Sequence, residues 1–221
     1  MKYYLDNPDR FITLMIEFWG GTVTALEIFF LTLLFALPLG LMVALGRMNK
    51  NVLIWRPIHY YILFMRGTPL LLQLIIVFYA PAYLFGINLN RFFAAILAYV
   101  LNYSAYFAEI YRGGIQSIPT GQYEAAQVLG FSRRMTFFRI IMPQVVKRIT
   151  LPMSNEFTTL VKDTALISTL AVVEVFRIAK SASSTSVSIV PMFVAGAIYL
   201  LLNAGVTKFF QWFEKKQEYY K

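Results

Sequence analysis

Gly121-Gln-Tyr-Glu124-Ala125-Ala126-Gln-Val-Leu-Gly130 lies inside a polar, glycine-punctuated and strongly basic segment that extends from Ile115 to Arg148. On either side the chain is apolar run after apolar run. A segment of this composition works in water, while the runs around it need an apolar medium that so polar a segment cannot supply. That contrast sets the architecture.

Of the 221 residues, 58% are hydrophobic and only 14% are charged, whereas a soluble domain is about half apolar and about a quarter charged. The chain therefore reads as an all-α integral membrane protein. Its net charge of +9 does not point to nucleic acid, because the basic residues sit in short segments between apolar runs, as membrane topology places them. There is no cysteine, which excludes a disulfide framework, a thiol nucleophile and a Cys-based metal site. His59 is the single histidine; standing at an apolar boundary, it is expected at the membrane interface, and no metal site is expected.

Asp6, Asp9 and Glu17 mix with Lys2 and Arg10 before the first apolar run, so no cleaved signal peptide is expected. Five spans are expected at about 22–46, 59–81, 91–111, 151–176 and 190–212, with a water-exposed loop at about 112–148. A helix rising 1.5 Å per residue needs about 20 residues to cross a hydrocarbon core of about 30 Å. In the first run Pro38 and Gly40 predict a kink, and the small Gly40 and Ala44 admit a close helix neighbour. Glu27 is expected near the outer end of that span. A turn-rich patch runs from Pro81 through Gly86, Asn88 and Asn90; Ala179 to Ser188 is Ser-rich and loop-like; Pro191 suits the first turn of a helix. Trp212, Tyr219, Tyr220 and the nearby lysines resemble an interfacial belt.

Five spans put the termini on opposite sides. With the C-terminus in the cytoplasm, the inner segments hold thirteen basic residues: Arg47, Lys50, Arg56, Arg112, Arg133, Arg134, Arg139, Lys147, Arg148, Lys208, Lys215, Lys216 and Lys221. The outer face holds five, Lys2, Arg10, Arg91, Arg177 and Lys180. The positive-inside rule then orients the N-terminus outside and the 112–148 loop inside.

Within that loop, Thr120 is the expected N-cap of a short helix from about Gln122 to Leu129, Gly130 its stop, and Ser132 the cap of a second short helix ending by Pro143. A helix of about eight residues falls below the roughly 12 to 15 needed for marginal stability in water, so it needs a partner. Two readings fit the pattern. Small Ala125, Ala126 and Gly130 with apolar Tyr123, Val128 and Leu129 suit docking to another protein, and the neighbouring Arg133 and Arg134 suit a helix lying on headgroups.

Glu124-Ala125-Ala126, then Gly130, then Ile141-Met142-Pro143 resembles the EAA loop of ABC importer permeases. The likeness continues in Gly21-Thr-Val-Thr24, Arg66-Gly-Thr-Pro-Leu-Leu-Leu-Gln73, Ala105-Tyr-Phe-Ala-Glu109, Arg112-Gly-Gly-Ile-Gln116, Leu151-Pro152, Asn155-Glu156-Phe157 and Lys162-Asp163-Thr164. Those runs are similar to the polar amino acid subfamily over about Gly20 to Val175. Met142 stands where Leu is usual, and Ala165 where Ser is common.

The resemblance implies a type I importer permease of five transmembrane helices with a cytoplasmic coupling helix, in a bacterial plasma (inner) membrane. It implies a second permease subunit, either the same chain or a paralogue, a dimer of ATPase subunits below, and an extracellular or periplasmic amino-acid-binding protein above. Tyr123, Glu124, Ala125, Ala126, Leu129, Gly130 and Arg133 would meet the ATPase. ATP and Mg would be bound by that partner and no cofactor by this chain, which lacks a GxxxxGK[ST] phosphate loop. The chain is thus expected to be a transport subunit and not an enzyme.

A charge near the bilayer centre costs roughly 2.5 to 3.5 kcal/mol and persists where it is paired, hydrated or useful. Arg66, Glu109, Glu156, Lys162 and Asp163, with uncharged Thr68, Gln73, Asn102, Ser104, Asn155, Thr164 and Ser168, are the candidates for a substrate pathway. An amino acid substrate needs an acceptor for its ammonium and a donor for its carboxylate. Glu156 with Lys162 and Asp163 is one expected wall; Arg66 with Thr68 and the backbone freed by Pro69 is the other. The same residues also fit a plainer role, with Arg66 and Glu109 neutralising each other and Lys162 and Asp163 capping a helix end or fixing the dimer. Two further functions remain open here: an ion-coupled secondary transporter using Glu109 or Asp163, and a non-transporting membrane scaffold.

Overall fold

The computed structural model describes residues 8–217; Lys2, Asp6, Tyr219, Tyr220 and Lys221 lie outside them. Those residues are almost wholly helical. In chain order they form α1 (Pro8–Arg47), α2 (Val52–Gly67), α3 (Leu70–Phe85), α4 (Arg91–Gln116), α5 (Thr120–Val128) and α6 (Arg133–Met135). A π-helix (Thr136–Ile141), α7 (Met142–Asp163), a 3₁₀ segment (Thr164–Leu170), α8 (Val175–Ser186) and α9 (Val190–Gln217) follow.

α1 begins at Pro8, far upstream of the expected first span, and runs unbroken through Pro38 for 40 residues. At 1.5 Å per residue that is about 60 Å, roughly twice a hydrocarbon core. Glu27 sits halfway along this helix, on an exposed face. One stripe of α1, including Leu14, Phe18, Gly21, Ala25, Ile28, Thr32, Ala36, Gly40 and Ala44, is buried at steps of three and four residues, the helical period. At Gly40 the stripe meets α4 so closely that a Cβ would come within 2.9 Å of Phe107 Cβ. Across the seam α4 offers Ala94, Ala98, Ala105 and Ala108, all buried, so two long helices pack backbone to backbone through small residues.

The expected second span is two helices, α2 and α3, bent by 111°. Pro69 is responsible. It has no N–H to donate and forces the residue before it out of the helical region, and Thr68 accordingly lies at φ −119° and ψ 147°. A break at membrane depth leaves carbonyls that lipid cannot satisfy. Gln73 fills the gap: its Nε2 donates to Met65 O (3.0 Å), Thr68 O (3.2 Å) and Thr68 Oγ1 (2.8 Å). Asn102 on α4 donates through Nδ2 to the same Met65 O (3.0 Å) and to Gln73 Oε1 (2.9 Å). One buried amide pair thus closes the break and staples it to α4.

The expected fourth span is also subdivided. The helix does not stop at Pro143. A wide turn closed by Met142 N–H on Phe137 O leads into α7, whose second residue is Pro143, a position where a missing donor is harmless. After Asp163 the chain tightens to 3₁₀, turns at Ala171 (φ 61°) and restarts at Glu174. The Ser-rich stretch expected as a loop is helical in α8. Glu174 caps it by accepting from Phe176 and Arg177 N–H, and the hydroxyls of Ser184, Thr185 and Ser186 bond back to carbonyls four residues earlier, which hides their polarity along the helix.

Three described helices, over Asp9–Arg47, Arg91–Gln116 and Val190–Lys216, are long and apolar enough to cross a membrane, and the bent α2–α3 pair raises the number to four. α7 is not among them because Lys147, Arg148, Glu156, Lys162 and Asp163 make it too highly charged.

A Cβ on Gly114 would lie 2.3 Å from Ile149 Cγ2, whereas one on Gly113 meets nothing within 4 Å. Gly114→Ala is expected to cost about 1–3 kcal/mol and lower the melting temperature of the detergent-solubilised chain, while Gly113→Ala leaves it unchanged or raises it slightly; equal melting temperatures for the two would refute this α4–α7 contact. Gln73→Leu strips the break of its donor and should cost about 1–3 kcal/mol in the same measurement, with Gln73→Glu unable to restore it because the carboxylate cannot donate.

Candidate functional site

The break at Thr68–Pro69, the tyrosine face of α4 and one face of α7 enclose a cavity of about 450 Å³. Its lining includes Thr68, Pro69, Leu70 and Leu71 from the break, Asn102, Tyr103 and Tyr106 from α4, and Glu156, Thr159 and Asp163 from α7. The α7 residues are spaced by three and four, which places all three on one helical face. Tyr103 and Tyr106 share a face with Asn102 for the same reason.

Inside the cavity the groups are held firmly. Tyr103 donates its hydroxyl to Asp163 Oδ2 at 2.8 Å, and Tyr99, one turn earlier and buried, donates to the Asp163 carbonyl at 2.7 Å. These two bonds fix α7 where it tightens into the 3₁₀ segment. Glu156, half-buried, completes an acidic wall. Opposite it, Pro69 caps α3 without a side-chain hydrogen bond. Leu72 and Gln73 N–H bond to Pro69 O, and Leu70 and Leu71, the first two residues of α3, line the cavity at the positive end of that helix.

Four of the expected pathway residues therefore meet at one cavity: Thr68, Asn102, Glu156 and Asp163. The others do not line it. Gln73 is spent on the break. Ser104 is fully buried and hydrogen-bonded with Tyr61 Oη (2.6 Å) and Leu101 O (2.9 Å). Asn155 and Lys162 are exposed on other faces of α7. Thr164 is buried and donates to Val161 O (2.8 Å), and the Ser168 carbonyl accepts from Arg177 at 3.3 Å, joining the 3₁₀ segment to α8. Arg66 stands beside the cavity with its guanidinium 5.2 Å from the Tyr106 ring centroid. It also comes within 3.9 Å of Glu109, but the main partner of Glu109 is Arg112, which reaches it through both Nε (3.0 Å) and Nη2. Tyr103, Tyr106 and Thr159 escaped sequence reading because tyrosine and threonine pass as ordinary span residues. The signal was the recurrence of Tyr99, Asn102, Tyr103 and Tyr106 at helical spacing.

A larger cavity of about 800 Å³ lies elsewhere, between the start of α1 and α8, lined by Arg10, Glu17, Arg177 and several small residues. None of the expected pathway residues lines it.

At the basic loop, Pro119 is the N-cap and Thr120 already belongs to α5. The stop is at Gly130, as expected (φ 78°). Phe131 N–H bonds to Ala126 O and Gly130 N–H to Gln127 O, both at 3.0 Å, which is the Schellman pattern. Ser132 caps the next turn through Met135 N–H. α5 is seated by its own chain: the side-chain amides of Gln122 and Gln144 exchange hydrogen bonds (3.0 and 2.6 Å), and Ala126 is buried. Ala126 thus faces inward, contrary to the expected contact surface. Tyr123, Glu124, Ala125, Leu129, Gly130 and Arg133 are exposed, with Val128 and Leu129 at 88% and 74% exposure.

Residues 36–219 match the family of binding-protein-dependent transport system inner membrane components. The chain is 41% identical over 170 residues to the L-cystine transport system permease protein TcyB of Bacillus subtilis (strain 168), covering 73% of this chain and 70% of that one. It is 37% identical over 195 residues to the nopaline transport system permease protein NocM of Agrobacterium fabrum, covering 84% and 81%. Its fold superposes on the crystal structure of an amino acid ABC transporter with histidines with a TM-score of 0.85 and 32% identity, over 94% of this chain and 97% of that one. The chain therefore belongs to the binding-protein-dependent transport system inner membrane components, the membrane-embedded permease subunits of ABC importers.

Proposed function

We propose that this permease carries a polar amino acid through the cavity between the α2–α3 break, α4 and α7. The observation that carries the reading is the pairing of opposite polarities across one small space, the carboxylates of Glu156 and Asp163 on α7 and the α3 N-terminus at Leu70 and Leu71. A zwitterion presents the complementary pair. Its ammonium would face Glu156 and Asp163, and its carboxylate the helix end. Tyr103 and Tyr106 would line the passage, and Arg66 would flank it. The related permeases named for cystine and nopaline agree with such a substrate class.

The chain would cross the bilayer five times, with α7 as its polar fourth crossing, the N-terminus outside and the C-terminus in the cytoplasm, consistent with the distribution of basic residues. Two permease subunits, two copies or one with a paralogue, would flank the path. α5 would seat in a partner ATPase that binds ATP and Mg, with Tyr123, Val128 and Leu129 as apolar contacts and Glu124 and Arg133 as charged ones. The Gln122–Gln144 pair would then carry the displacement of α5 directly into the base of α7. A binding protein outside would deliver the substrate.

Reconstitution with the ATPase and binding protein tests both halves. Glu156→Gln should lower uptake about tenfold or more, the loss of a hydrogen bond to a charged group, while leaving ATP hydrolysis coupled; unchanged uptake would remove Glu156 from the path. Glu124→Arg or Gly130→Trp should abolish substrate-stimulated ATP hydrolysis in a folded complex, and normal coupling in either would show that α5 is not the contact.

A further inference from the structure

We infer that a recess between the end of α1, α2 and the last turns of α4 binds the phosphate of an anionic phospholipid. The recess, about 270 Å³, is lined by Arg47, His59, Leu63, Arg66 and Glu109 among others, and it is separate from the cavity described above.

Its charge is only partly compensated. Glu109 is the one carboxylate in the lining, and Arg112 already grips it from the next turn of α4 through two nitrogens. Arg66 reaches it only at 3.9 Å. Arg47 makes no salt bridge with Glu109, although the two charges lie close enough to attract each other. Its Nη2 meets His59 Nδ1 at 3.2 Å; since a guanidinium can only donate, the imidazole accepts there, and in its neutral form carries its proton on Nε2. The Arg47 guanidinium lies 5.4 Å from the Trp55 ring centroid, and its Nε is buried without a hydrogen-bond partner. Two guanidinium groups around one small space, with an imidazole beside them, form a donor set for an oxyanion, and the planar fork of arginine suits a phosphate.

The surroundings select a lipid as the source of that phosphate. Leu63 lines the recess and is 59% exposed, and the adjoining face of α2 carries Leu53, Tyr60 and Phe64, each more than half exposed. Acyl chains lying along this face would bring the headgroup to Arg47 and Arg66, an arrangement in which each basic residue near an anionic surface contributes about 1 kcal/mol. The trough from Arg47 to Phe64 thus offers both halves of a phospholipid their own medium.

The test uses the full chain in nanodiscs of equimolar phosphatidylglycerol and phosphatidylcholine, with lipids retained on ejection counted by native mass spectrometry. Wild type should retain phosphatidylglycerol over phosphatidylcholine by about fivefold or more. Arg47→Gln should erase about that factor, Arg47→Lys should keep part of it, and Lys50→Gln, which alters a neighbouring charge outside the recess, should leave it intact. Equal retention of the two lipids by wild type would overturn the inference, as would an equal loss in Lys50→Gln, which marks a diffuse surface effect. Displacement of phosphatidylglycerol by millimolar inorganic phosphate would overturn the lipid assignment in favour of a free anion. Should Arg47→Gln fail to fold, Arg66→Gln is read in its place with the same expected loss, and retention unchanged from wild type refutes the site.

Discussion

Backbone groups inside a bilayer have no water to turn to, and the chain meets this constraint most sharply at Thr68–Pro69. Proline ends one helix there and starts another at 111°, and the freed carbonyls of Met65 and Thr68 would be orphans in hydrocarbon. The paired amides of Gln73 and Asn102 absorb them. Because Asn102 belongs to α4, the same interaction that makes the break tolerable also positions it. The open N-terminus of α3 is thereby held against the tyrosine face of α4, and the cavity becomes possible.

The rest of the site is arranged around that fixed corner. α4 is the common wall, packed by small residues against α1 on one side and through Tyr99 and Tyr103 against the end of α7 on the other. A helix whose one face is smooth and whose other face is hydroxylated can pack against a neighbour and line a cavity at once. α5 joins this frame through the Gln122–Gln144 pair. Its seat is therefore polar and directional, while its exposed apolar side remains available to another protein.

Much of this was legible in sequence where local chemistry has one solution. Gly130 predicted a helix stop, Ser132 a cap, and Gly40 with Ala44 a close helix neighbour, and each does what its chemistry dictates. The misreadings came where tertiary partners reassign a residue. Pro69 announced freed backbone, but nothing local fixed a 111° turn, because the angle depends on amides brought from residues 73 and 102. The Ser-rich stretch looked like a loop because its helix is started by Glu174 and its hydroxyls are silenced by its own carbonyls. Asp9 and Arg10 masked the helical start of α1. Around the cavity, charge drew attention to Lys162 and Glu109, which face elsewhere or are already paired, and away from Tyr103 and Tyr106, which line it from α4.

The wide turn over Thr136–Ile141 also reaches further than its length. A π-helical turn carries one residue more than an α-helical one, and in a helix of 3.6 residues per turn one residue is a rotation of about 100°. Everything downstream on α7 inherits that rotation, including Glu156 about four turns later. The acidic wall of the cavity thus owes its aim to a miscount in the helix far below it. Two chains identical from Met142 onward, one with the widened turn and one without, would present the same carboxylates to different neighbours.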